Sequence, residues 1–129
     1  MSVVENIIVL RREESVRVDP DQLGALYRQL GESGAEDVVC RAIEELAVRL
    51  SHCERMWRSQ DLPGLRKSAR SLIAIAEQIG MNSLARVADD VTRTIDQHDQ
   101  VAQAATLTRL MRIGERSLTA VWDLQDLSV

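Results

Sequence analysis

Residues 61–80 read D-L-P-G-L-R-K-S-A-R-S-L-I-A-I-A-E-Q-I-G, and the period of this stretch decides the fold. Leu65, Ala69, Leu72, Ala76 and Ile79 recur at three- and four-residue steps, the spacing that lines one face of an α-helix, and Ile75 joins that face. Asp61 can cap the start, Pro63 is tolerated in the first turn, and Gly80 stops the run. Such a helix is apolar along one stripe only, so other elements must cover that stripe.

The flanking segments carry the same period. Upstream, Asp19, Pro20 and Gln22 form a capping pattern that opens a short helix through Leu30, which Gly31 closes. Ser33 and Glu36 repeat the pattern before a long helix to about Gln60, striped by Val39, Ile43, Leu46, Leu50, Cys53 and Trp57. Downstream, Asn82 and Ser83 are available as caps for a helix carrying Leu84, Val87, Val91 and Ile95 and reaching about Gln97. The H-D-Q segment at 98–100 reads as a turn. A last long helix from about Val101 places Ala104, Leu107, Met111, Gly114, Leu118, Val121 and Trp122 on one side. Short connections make sequential helices antiparallel, so the spacing predicts an all-α, up-down-up-down four-helix bundle preceded by a short helix.

Composition agrees. The chain has 129 residues, 45% hydrophobic but only 2% aromatic with no Phe, so Leu, Ile, Val and Ala must fill one core. Residues 19–129 form that bundle domain. Residues 1–18 are expected to form a separate N-terminal arm, where V-V-E-N-I-I-V-L and S-V-R-V read as an extended arm or β-hairpin, with a short amphipathic helix as the alternative. A lone hairpin is marginal in water, so the arm should dock on the helices or pair with a second subunit, which makes a homodimer one expectation. A net charge of −4 argues against nucleic acid as a partner. No apolar run approaches the roughly 20 residues that cross a bilayer, and no basic segment with an apolar signal core opens the chain, so the expectation is no membrane partner and a cytoplasmic protein. Cys40 and Cys53 sit on one predicted helix about 20 Å apart at about 1.5 Å per residue, too far to bridge, and both read as packing residues. Spacing such as H-E-x-x-H is absent, and so are a Walker loop and a G-x-G-x-x-G turn, so neither a metal nor a cofactor is implied.

The run A-R-S-L-I-A at 69–74, followed by I-G-M at 79–81 and by Leu84, Ala88 and Val91, resembles a degenerate histidine-containing phosphotransfer (HPt) domain. That family commonly shows A-H-S-L-K-G, then an apolar residue and glycine, then a leucine and small-residue pattern on the next helix. Ala69, Ser71, Leu72, Gly80, Leu84 and Ala88 fit it. The likeness extends over most of residues 19–125, although only this two-helix segment carries motif information. Arg70 stands where the family has its phosphoaccepting histidine, Ile73 at its lysine position and Ala74 at its glycine position. A neutral imidazole nitrogen can attack an aspartyl phosphate and later surrender the phosphoryl group. A guanidinium stays protonated and has no lone pair suited to that relay.

The resemblance therefore implies a non-catalytic adaptor, not an enzyme, that binds a response-regulator receiver domain or a histidine kinase in a phosphorelay. Its docking face would comprise Arg66, Lys67, Arg70, Ile73, Ala74 and Glu77, which helical phase sets opposite or beside the core stripe. The other reading is a structural or oligomerisation bundle whose basic helix face is merely solvated. Displaced phosphotransfer through His52, expected exposed on the long helix, is the remote third. His98 reads as a turn residue, and adjacent Asp89 and Asp90 point about 100° apart and read as surface charges.

Overall fold

The structure is a computed structural model that describes residues 18–127, with side chains through residue 120. Four helices follow one another: α1 (Pro20–Arg58), α2 (Leu62–Gln78), α3 (Asn82–Asp96) and α4 (Gln100–Leu127), joined by three-residue connections. Turns this short force each helix to run back along its predecessor. α1 packs on α2, α2 on α3 and α3 on α4, and α4 returns to α1, with neither diagonal pair adjacent. That ring is the up-down-up-down four-helix bundle. No described helix is long and apolar enough to cross a membrane. The arm or hairpin expected over residues 1–17 lies outside the described residues.

The short first helix and the long second one are joined without a loop. Gly31 alone breaks the helical path, at φ 75° and ψ 171°. The second helical segment begins directly after Gly31 and already contains Ser33, so the second capping pattern is not what starts it. At the first cap, the Asp19 carboxylate accepts the N–H groups of Asp21 and Gln22. Gln22 does not fold back onto Asp19, as a capping box requires. Its side-chain amide donates to the Glu77 carbonyl, and the Asp19 N–H donates to the Gly80 carbonyl at 2.8 Å. Residues 18–30 thus strap the α2–α3 turn, with Val18, Leu23 and Leu26 packed on the core. Gly80 sits at φ 78° where a Cβ would lie 3.1 Å from the Asp19 carbonyl oxygen, so this turn needs glycine for both its backbone and its neighbour.

The core stripes of α1, α2 and α3 lie where the period sets them. Val39, Ile43, Leu46, Leu50 and Cys53 on α1, Leu65, Ala69, Leu72 and Ala76 on α2, and Leu84, Val87, Val91 and Ile95 on α3 are all buried, while Trp57 is half-buried at the stripe's end. Each fully buried leucine contributes about 1.5–3 kcal/mol by leaving water. Asp61 caps α2 through the Gly64 N–H at 2.9 Å. α3 departs from expectation at its start: Met81, not Asn82 or Ser83, holds the cap position, and it makes no side-chain cap bond. Its thioether is fully buried, so hydrophobic anchoring replaces polar capping there.

α4 is rotated from its expected phase. Leu107 and Gly114 are buried as expected, but Ala104 is exposed and Met111 and Leu118 are only half-buried. The inward face is Gln103, Leu107, Leu110, Ile113, Gly114 and Ser117. Two of these are polar, and local bonds make their burial tolerable: Ser117 Oγ donates to the Ile113 carbonyl at 2.7 Å, and Gln103 Nε2 to the Thr94 carbonyl at 3.3 Å. Thr94 and Thr106 hydroxyls meet at 3.2 Å beside them, forming a polar layer between α3 and α4.

Candidate functional site

The buried stripe of α2 fixes what its other side presents. With Leu65, Ala69, Leu72 and Ala76 inward, Lys67, Arg70, Ala74 and Glu77 are exposed and Arg66 and Ile73 are half-buried. α3 lies alongside, and the two helices enclose an open groove of about 450 Å³. Arg66, Arg70, Ile73, Ala74 and Glu77 form its α2 wall, while Asp89, Thr92, Arg93 and Asp96 form its α3 wall. Five of the six residues proposed from sequence are thereby brought together. Lys67 is exposed but does not line the groove, and its carbonyl accepts the Ser71 hydroxyl at 3.2 Å.

Two of the groove's three arginines are already engaged. Arg66 grips Asp96 with Nε to Oδ1 at 2.8 Å and Nη2 to Oδ2 at 3.1 Å, a two-pronged bond that ties α2 to α3. Hydrogen bonding from Arg66 is the main reason the Asp96 carboxyl is held below its ordinary range; burial opposes it as the next effect in size, and the charges of Arg66, Arg70 and His98 each add a smaller lowering. Arg93 pairs with Asp89 one turn earlier on α3, at 3.0 Å. Arg70 makes no ion pair among the described residues, and neither does Glu77. The groove thus offers a planar, five-donor cation that is in no ion pair among the described residues, bordered by Ile73 and Ala74.

The α3 wall escaped the sequence reading. Asp89, Arg93 and Asp96 recur at four and three residues and so share a helix face, which was a usable signal. The pairing of Arg66 with Asp96, 30 residues away, depends on how two helices register and has no local signature. Asp89 is half-buried on the groove wall, so its description as a plain surface charge is incomplete.

Other reactive side chains stand apart from this groove. His52 is half-buried rather than exposed, in a separate hollow with Arg55, Met56 and Ser59. His98 occupies the α3–α4 turn with φ 56°, the turn role expected of it. Ser71 spends its proton on its own helix. Neither cysteine is in a disulfide: Cys53 is buried in the core, where burial pushes its thiol up to about 12, whereas Cys40 is exposed, contrary to its reading as a packing residue. Among the described residues no group of three His, Cys, Asp or Glu side chains is placed to hold a metal ion.

Fold and groove together define an all-α four-helix bundle with a mixed-charge cleft between its second and third helices. Comparison with known proteins returned no matching family model, no matching curated protein and no matching solved structure.

Proposed function

We propose that this chain is a phosphotransfer-like signalling adaptor without an acceptor histidine, which docks a response-regulator receiver or a histidine kinase in the cytoplasm and modulates phosphate flow by occupancy. The resemblance of residues 69–91 to the phosphotransfer pattern supplies the partner class. The observation that carries the reading is the exposed guanidinium of Arg70 at the seat where that pattern holds its histidine, on the wall of a groove and without an ion-pair partner among the described residues.

Arginine there keeps the recognition half of a relay and loses the chemical half. An acidic pocket on a partner can receive its donors, and Ile73 with the small Ala74 allows close apolar contact beside them. Because Arg66 is held by Asp96, Arg70 rather than Arg66 is the cation available to such a pocket. The guanidinium at that position keeps its proton and offers no neutral imidazole nitrogen to take a phosphoryl group from a receiver's aspartyl phosphate.

Binding to a panel of receiver and kinase domains, measured by titration calorimetry, tests the reading. Arg70→Glu and Ile73→Asp should each weaken the interaction by roughly tenfold or more, a loss of about 1.4 kcal/mol. Binding unchanged in both variants would remove this face from consideration.

A further inference from the structure

Two charges in the groove form no ion pair among the described residues: the cation of Arg70, which acts on Asp96 only through space, and the anion of Glu77. They stand seven residues apart on α2, hence within about 20° of one helix face and about 10 Å apart along its axis. Midway between them lie Ile73, half-buried, and Ala74, exposed. The face therefore reads cation, apolar patch, anion.

That order is complementary to itself. A two-fold axis passing between Ile73 and Ala74 exchanges positions 70 and 77, so an antiparallel crossing of α2 with its own copy sets each arginine against a glutamate. The apolar pair meets its twin at the axis, where alanine lets the helices approach closely. We infer that a second copy of this chain is an occupant of this face, in an isologous dimer held by two reciprocal ion pairs between Arg70 and Glu77. A partner offering only acidic groups satisfies Arg70 and confronts Glu77 with like charge, whereas a second copy answers both.

The dimer does not depend on receiver docking. Where both operate they exclude each other, because dimerisation covers the groove that a receiver would use. The apolar patch is small, so the interface falls at the weak end, below about 1,200 Å², and dimerisation should be sought at concentrations up to about 1 mM.

Sedimentation equilibrium on the full chain provides the test. The wild type should show a monomer–dimer equilibrium that weakens as salt rises. Arg70→Glu and Glu77→Arg should each weaken it by about tenfold, since each turns two attractions into two repulsions. The double variant Arg70→Glu/Glu77→Arg should restore association, and mixing the two single variants should yield the heterodimer. All substitutions fall at exposed positions, and unchanged circular dichroism verifies the fold. A wild type that stays monomeric throughout, single variants that dimerise undiminished, or a double variant that stays monomeric would each overturn the inference. The double variant also separates the two ideas, because it regains the dimer while lacking the cation a receiver would bind.

Discussion

Replacing Gly114 by alanine should change sign with its surroundings. Gly114 lies inside α4, where alanine is worth about 1 kcal/mol more than glycine on helix propensity alone. It also lies where α4 touches α1: a Cβ there would sit 2.6 Å from Leu50 Cδ1 and 2.7 Å from Cδ2. Carbon atoms prefer about 3.5–4.0 Å, so the leucine must move by about 1 Å, and at 5% exposure it has little room. Overpacking of this kind costs about 1–3 kcal/mol, which outweighs the propensity gain and leaves Gly114→Ala destabilised by about 1 kcal/mol. Leu50→Ala alone should cost about 3 kcal/mol through the cavity it opens. In that background the methyl introduced at position 114 fills vacated space without a clash, so adding Gly114→Ala should now stabilise by about 1 kcal/mol. Urea unfolding with a common slope measures all four proteins. For 129 residues a change of 1 kcal/mol moves the midpoint temperature by about 4 °C. A Gly114→Ala effect of the same sign and size in both backgrounds would refute the close approach of α1 and α4 at this point.

Gly80→Ala should destabilise by about 2 kcal/mol, from the left-handed backbone it cannot hold cheaply and from crowding of the Asp19 backbone. Hydrogen exchange should show the Asp19 amide losing protection, and an unchanged amide would contradict the strap. Asp96 should titrate below the ordinary carboxyl value of 3.8, and Arg66→Gln should raise its midpoint in a carboxyl NMR titration. Because the folded value is the lower one, the stabilisation it brings is present above 3.8 and is lost as pH falls through the folded midpoint, so the two proteins should differ in pH dependence only in acid. With a thiol reagent at pH 8, the native protein should expose one group, Cys40, and release the second, Cys53, only on unfolding. Two equivalents reacting with the native protein would contradict the burial of Cys53.

Much of this architecture is written locally. The break at Gly31, the Asp61 cap and the stripes of α1 to α3 follow from glycine punctuation and a period of 3.6, which neighbours do not alter. The phase of α4 is harder to read because its inward face includes Gln103 and Ser117. Apolarity alone rotates the helix toward Ala104, Met111 and Leu118, whereas the real solution buries polar groups that find carbonyls. The start of α3 differs for the converse reason, since Met81 anchors by burial where the sequence offers polar caps. The groove divides in the same way. Its α2 wall is a face of one helix and can be drawn from residues 66–77, but its α3 wall and the clasp of Arg66 on Asp96 arise from helix register, which no local pattern encodes. Helical phase places Lys67 near Arg70, yet the groove turns toward α3 and leaves it outside.

The most direct test puts histidine back. Wild-type protein and Arg70→His are incubated with phosphorylated receiver domains, and bound partner and acid-labile protein phosphate are followed together. The account expects the wild type to bind a receiver and take up no phosphate, and Arg70→His to acquire acid-labile label at the new imidazole. Phosphate appearing on the wild-type chain, or the failure of every receiver and histidine-kinase domain to bind that chain, would contradict the account.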